Sequence, residues 1–337
     1  MRASVSLDLD DLWSYQKTHG NPDWVSRPSY LRLAVPRILD TLDEIGLRIT
    51  FFIVGFDAAR EENGEVLRQI TARGHEVANH SFEHDPWLHL HSDAALEDDL
   101  ARAEAAIRTA TGQDPKGFRG PGFSWSPSLL SILERRGYRY DASTLPTFLG
   151  PVARWYFLAA SPLKGAERAQ RAKLFGGFAE GFRPSRAYRW RWSDGRRLLE
   201  IPVSTIPGIK APFHLSYLLY LARFSPALAR GYLATAIAAC RLAGFGPSFL
   251  LHPLDLLDGN EVPSLRFFPG MDVPVARKRA VFVDSLTALA RHFELVPMGA
   301  HADELAQLSL SHRNPESKGT PAPSTPGGPR PAGTEAF

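Results

Sequence analysis

The first residues of the chain alternate in character. Val5, Leu7 and Leu9 fall on one side, and Ser6, Asp8 and Asp10 on the other, which is the period of a strand with one buried face. The apolar spacing then becomes helical. Leu31, Val35, Ile38, Leu39, Leu42 and Ile45 recur three or four residues apart and stop at Gly46, predicting a helix over 30–45. The same reading predicts a buried strand over 48–54, a helix over 63–73 ended by Gly74, and a short strand over 76–79. A helix follows over 93–111, with Ala95, Leu96, Leu100, Ala103 and Ile107 on one face. A short strand leads into the glycine- and proline-laden turn 117–123, followed by a helix over 127–136 and a strand over 138–143. After an interruption come a strand over 198–203 and one or two helices over 213–245, broken near Pro226. The last elements are an apolar strand over 249–252, a helix over 278–291 and a strand over 293–297.

Strands alternating with helices imply a parallel sheet with right-handed crossovers. No G-x-G-x-x-G follows the first strand, which argues against a dinucleotide fold. A closed or partly closed β/α barrel fits better. Its site would form at the C-terminal ends of the strands, where Asp8, Asp10, Asp11, His80, His84 and Arg119 all fall.

Composition narrows the setting. The chain has 337 residues and a formal net charge of +3. Its single cysteine, Cys240, excludes an internal disulfide and fits a reducing compartment. The N-terminus enters a strand at once, without an apolar signal core, and no apolar run reaches the roughly 20 residues that span a bilayer. A cytoplasmic protein is expected. The expected division is one barrel over 1–310 and a tail over 311–337, too rich in proline, glycine and polar residues to order. The barrel would carry a helical insertion over about 147–197 and a helical segment over about 213–245.

The interruption is basic and aromatic. Arg154, Lys164, Arg168, Arg171, Lys173, Arg183, Arg186, Arg189, Arg191, Arg196 and Arg197 mix with Trp155, Tyr156, Phe157, Phe175, Phe178, Phe182, Tyr188, Trp190 and Trp192. One reading packs this insertion on the barrel and leaves its arginines solvated. The sharper reading is a face resting on anionic lipid, at the inner side of the membrane, or gripping a phosphorylated glycolipid. No nucleic-acid module surrounds it, so nucleic acid is not expected as a partner.

Candidate chemistry centres on His80 and His84, four residues apart in a polar turn after a strand. Two imidazoles on one side can hold a divalent metal, but a hydrolytic site adds a carboxylate and an open position for water. The first strand ends in Asp8-Leu9-Asp10-Asp11, crowded carboxylates that repel one another unless they serve a site. A helix cap is the alternative. The pleat puts Asp8 and Asp10 on one face and Asp11 on the other. His252 ends the apolar strand over 249–252, a position that alone is more often structural than catalytic. Trp13, Tyr15, Lys17 and His19 lie in what reads as a long loop to about Pro28, placed to line a cleft.

Five short motifs together resemble the polysaccharide deacetylase family, carbohydrate esterase family 4. They are Asp8-Leu9-Asp10-Asp11, His80-Ser81-Phe82-Glu83-His84, Arg119-Gly120-Pro121 with Phe123 nearby, Tyr140-Asp141-Ala142-Ser143, and Leu250-Leu251-His252. The resemblance covers roughly residues 4–146 and 198–300. It implies a deformed (β/α)7-type barrel and a hydrolase that removes acyl groups from sugars. By the same resemblance Asp10, His80 and His84 bind a divalent metal, Zn²⁺ foremost, and Asp8 is the base. Arg119 orients that base, and His252 is the acid. Trp13, Pro121, Phe123, Tyr140 and Asp141 are candidate substrate contacts, and a backbone N–H near Tyr140 a candidate oxyanion donor. The commoner family arrangement would make Asp10 the base and Asp11 the ligand, so both pairings stand open at this point. The basic-aromatic insertion lies outside the ordinary family core. The expected substrate is an N-acetylated or N-formylated sugar, lipid-linked or a cell-envelope precursor. Rival readings are a metal-free cyclic amide hydrolase on the same barrel and a barrel that only binds glycan. An acid–base set around a metal argues against the latter.

Overall fold

The N-terminal strand β1 (Arg2–Leu9) is buried along nearly its whole length and pairs with three other strands, so the molecule is laid out around it. This is a computed structural model; it describes residues 1–152, 155, 165–171 and 176–316. Strands β2 (Thr50–Ile53), β3 (Glu76–Asn79), β4 (Gly117–Phe118) and β5 (Tyr140–Asp141) follow outward from β1, each parallel to the last. On the other side of β1 lies β8 (Ser248–Leu251), also parallel. β7 (Arg197–Glu200) pairs in parallel with β5. Beyond β7 the chain continues extended. Ile201 N–H donates to Asp141 O at 2.9 Å, Val203 N–H to Thr144 O at 2.9 Å, and Ser204 N–H to Ser248 O at 3.1 Å. That last bond joins the β7 side to the β8 side. Among the described residues, seven parallel strands thus close into the expected deformed (β/α)7-type barrel.

The crossovers are amphipathic helices. α2 (Leu31–Glu44) joins β1 to β2, preceded by α1 (Leu12–His19); α3 (Gly55–Ala59) and α4 (Gly64–Ala72) join β2 to β3. α5 (Asp93–Thr111) joins β3 to β4 and α6 (Pro127–Arg135) joins β4 to β5. The α5 boundaries match the sequence reading because both ends are capped. The Ser92 side chain accepts from Ala95 N–H, and Gly112 takes the left-handed backbone, at φ 75°. Leu7, Leu9, Phe51 and Ile53 pack with Leu31, Val35, Ile38 and Leu39 of α2 in the largest core cluster.

Three expectations on the elements change. The loop expected after β1 contains α1, because the Asp11 carboxylate caps it and Gly20 ends it at φ 87°. The insertion is not only helical. Its described part holds α7 (Gly165–Arg171) and β6 (Tyr188–Arg191), which lies antiparallel on β7. The expected tail begins inside the fold, since β10 (His312–Arg313) pairs with β6; residues 317–337 lie outside the described residues, as do 153–154, 156–164 and 172–175 of the insertion. The 213–245 stretch is a hairpin of α8 (Leu215–Phe224) and α9 (Pro226–Leu242), joined at Ser225, which is extended. α10 (Val275–Ala290), β9 (Glu294–Val296) and α11 (Met298–Ala306) follow, the last of these without a counterpart in the sequence reading.

Candidate metal and active site

β1 delivers alternate side chains to the barrel mouth, and its final residues set the site. Asp8 lies in β1 and Asp10 just past its end, and both carboxylates act on His80. Asp10 Oδ1 stands 2.9 Å from His84 Nε2 and 3.2 Å from His80 Nε2. One ligating atom from each of the three lies within 4.8 Å of the others, and all three residues are buried. Asp11 turns away. Its Oδ1 accepts from the N–H groups of Leu12 and Tyr30 at 2.7 and 2.9 Å, which makes it the cap of α1. Burial pushes the Asp11 carboxyl up to about 6.

The two histidines sit in a tight loop after β3 rather than on a helix. Ser81 and His84 both adopt the left-handed region, at φ 61° and 48°, a conformation that non-glycine residues hold only when their surroundings fix it. Asn79 Oδ1 accepts Ser81 N–H, Ser81 Oγ accepts His84 N–H, and the Asp99 carboxylate accepts the N–H groups of Phe82 and Glu83. Every turn of that loop is therefore tied to a side chain.

Tautomer logic tests whether these residues fit a cation. His80 Nδ1 lies 2.6 Å from Arg119 O. A carbonyl only accepts, so Nδ1 carries the proton and neutral His80 presents a bare Nε2 lone pair to the Asp10 carboxylate. Two acceptors 3.2 Å apart are reconciled by a bound cation, or by a second proton on the ring. Burial opposes ionisation of Asp10, yet the imidazoles of His84 and His80 outweigh it and hold its carboxyl well below the usual range. An imidazole pair with one carboxylate suits Zn²⁺ and similar divalent ions.

Arg119, fully buried at the end of β4, organises the other half of the site. Its Nη1 donates to Asp8 Oδ1 at 2.5 Å and to Ser6 Oγ at 3.0 Å, and its Nε donates to Ala142 O at 3.0 Å. The guanidinium also lies over the Phe52 ring, 4.2 Å from its centroid. His252 follows β8, whose Leu251 is in register with Leu7 of β1. It is half-buried.

Several expected substrate contacts are placed elsewhere. Trp13 is fully buried behind His84, donating from Nε1 to Asp57 Oδ1 at 2.7 Å. Tyr140 is fully buried and donates to Glu76 Oε1 at 3.2 Å. Asp141 accepts from Ser143 Oγ inside the barrel wall, and burial raises its carboxyl. Near Tyr140, the N–H groups of Arg139, Ala142 and Thr144 are already engaged. Pro121 is buried, while Phe123 is half-buried on the loop after Arg119, at φ 61°. Sequence reasoning missed His214, the residue before α8. It is buried, its ring centroid is 5.7 Å from that of His252, and its Nδ1 has no hydrogen-bond partner. A histidine ahead of an apolar helix carries no local signal that it will meet a strand end far away in sequence.

Comparison with known proteins places the chain among the following relatives. Residues 4–140 match the polysaccharide deacetylase family model. The chitooligosaccharide deacetylase of Bradyrhizobium sp. (strain ANU 289) is 35% identical over 103 residues, 30% of this chain and 46% of that protein. The peptidoglycan deacetylase of Helicobacter pylori is 27% identical over 146 residues, 42% of this chain and 49% of that protein. The chain thus spans about half the length of these curated relatives. Among solved structures, a Mycobacterium smegmatis protein of polysaccharide deacetylase type superposes over 93% of each chain with a TM-score of 0.60 at 19% identity, a likeness of fold.

Proposed function

We propose that the protein is a metal-dependent hydrolase that removes an N-acyl group, acetyl or formyl, from an amino sugar. The observation that carries this reading is the convergence of Asp10, His80 and His84, with ligating atoms within 4.8 Å of one another, beside the Asp8–Arg119 pair. Asp10, His80 and His84 would hold the ion, which supplies a water of lowered pKa and polarises the acyl carbonyl. Asp8 takes the proton of the attacking water. Arg119 grips one oxygen of that carboxylate and leaves the other for the incoming proton. His252 gives a proton to the departing amine, help worth about 10²–10⁴-fold. The products are a free amino sugar and acetate or formate.

The finer substrate reading is a lipid-linked or cell-envelope acylamino sugar, met at an anionic membrane face. Support comes from exposed aromatic side chains in the insertion: Trp155, Phe178 and Phe182 are 70%, 59% and 68% exposed. The basic-aromatic face is smaller than expected, because Tyr188, Trp190 and Trp192 are buried and Arg183 lies over the rings of Trp125 and Trp190. Among the described residues no helix is long and apolar enough to cross a membrane.

The test is metal analysis of the purified protein, with a screen for acetate and formate release from lipid-linked and nucleotide-linked acylamino sugars. One equivalent of divalent metal and release of either acid are expected, and His80→Ala should abolish both. Full turnover without metal would favour the cyclic amide hydrolase and remove the ligand assignment. Vesicle flotation addresses the membrane: equal recovery with neutral and anionic lipid would exclude that part.

A further inference from the structure

A carboxylate is buried beside His252 but does not touch its ring. Asp255 lies three residues on, 2% exposed, and its Oδ2 accepts the His252 N–H at 2.8 Å. Its other oxygen, Oδ1, accepts a hydrogen bond at 2.9 Å from Ser216 Oγ, on the first turn of α8. The same Ser216 Oγ lies 3.2 Å from His252 Nδ1.

A hydroxyl has one proton. Ser216 spends it on Asp255, so it can meet Nδ1 only through a lone pair, and Nδ1 must be the donor. We propose that Ser216 is a positioning residue: it couples Asp255 to His252 and holds that imidazole in the Nδ1–H form, with Nε2 left to exchange protons with substrate. This rests on the reading of His252 as the acid. The chain Nδ1–H···Oγ–H···carboxylate favours the imidazolium, since each link shortens as positive charge grows on the ring. It also makes α8 part of the working site instead of an added cover.

The surroundings agree. His214 faces His252 from the start of α8, and burial, with the fields of His252 and Arg119, keeps it neutral. A second imidazole that stays uncharged does not repel the imidazolium. Around Asp255 stand Lys278 from α10, Tyr15 from α1 and Tyr30 from the start of α2. Burial raises the Asp255 carboxyl, while His252, the Ser216 hydroxyl and Lys278 act to lower it.

The test is Ser216→Ala with Ser216→Thr as the conservative control, both read by ¹⁵N NMR of His252 in the full-length protein and by kinetics over pH. The wild type is expected to show Nδ1 protonated and Nε2 bare. Ser216→Ala should mix the two tautomers and cut kcat roughly tenfold with little change in KM; Ser216→Thr should restore both. A wild-type tautomer in Ser216→Ala would overturn the proposal. That NMR reading is independent of turnover. Loss of the relay with normal kcat, or a fully active His252→Ala, would instead count against His252 as the acid.

Discussion

Asp10 and Asp11 are neighbours with opposite tasks, and one bond rotation of the pleat separates them. Asp10 meets two imidazoles; Asp11 caps a helix through two backbone N–H groups. Asparagine caps helices about as well as aspartate. Asp11→Asn should therefore keep metal and activity and change stability by less than about 1 kcal/mol, whereas Asp10→Asn should lose the metal. Metal content and thermal unfolding of the two variants check this, and loss of metal in Asp11→Asn would make Asp11 the ligand. The face of each aspartate was legible from alternation alone. The burial of Trp13 and Tyr140 was not, because an aromatic ring reads the same on a cleft wall as in a core.

At the level of elements, the barrel is held together by close approach of backbones. Gly246, ahead of β8, passes so near β1 that a Cβ there would lie 1.6 Å from Arg2 O. Neither backbone can yield without parting the strands that carry Asp8 and His252. Gly246→Ala should destabilise the protein by roughly 3 kcal/mol or more, at the upper end of overpacking costs; a urea midpoint equal to wild type would refute the contact. Elements with long, regular periodicity, such as α2 and α5, were readable in advance. α1 was not, because its buried face includes Ser14, Gln16 and Lys17, whose polarity imitates a loop. Lys17 is held there by Asp85, at 2.7 Å. β6 was hidden for a like reason: its Tyr-Arg-Trp-Arg sequence reads as a charged surface until Tyr188 and Trp190 are seen packed in the core.

The molecule as a whole should be sensitive to acid away from its active site. Burial first, then Arg48, lowers His75 to about 4; burial, then Arg2, lowers His301 to about 4. Both rings are neutral in the fold and titrate near 6.5 when unfolded, so the unfolded chain binds more protons between those values. Stability is therefore full above pH 6.5 and is lost as pH falls towards 4, by about 2–3 kcal/mol per histidine at pH 4.5. Urea unfolding at pH 7 and 4.5 checks this, and His301→Gln should narrow the gap; an unchanged gap would remove His301 from the account. Sequence by itself determined the strand and helix periods, the carboxylate face of β1 and the histidine pair, because these are local repeats of backbone geometry. Only the tertiary structure decided that residue 204 meets residue 248 to close the barrel, and that Ser216 and His214 stand beside His252. Those meetings join positions tens of residues apart, and their register depends on how whole elements pack, which no short window of the chain records.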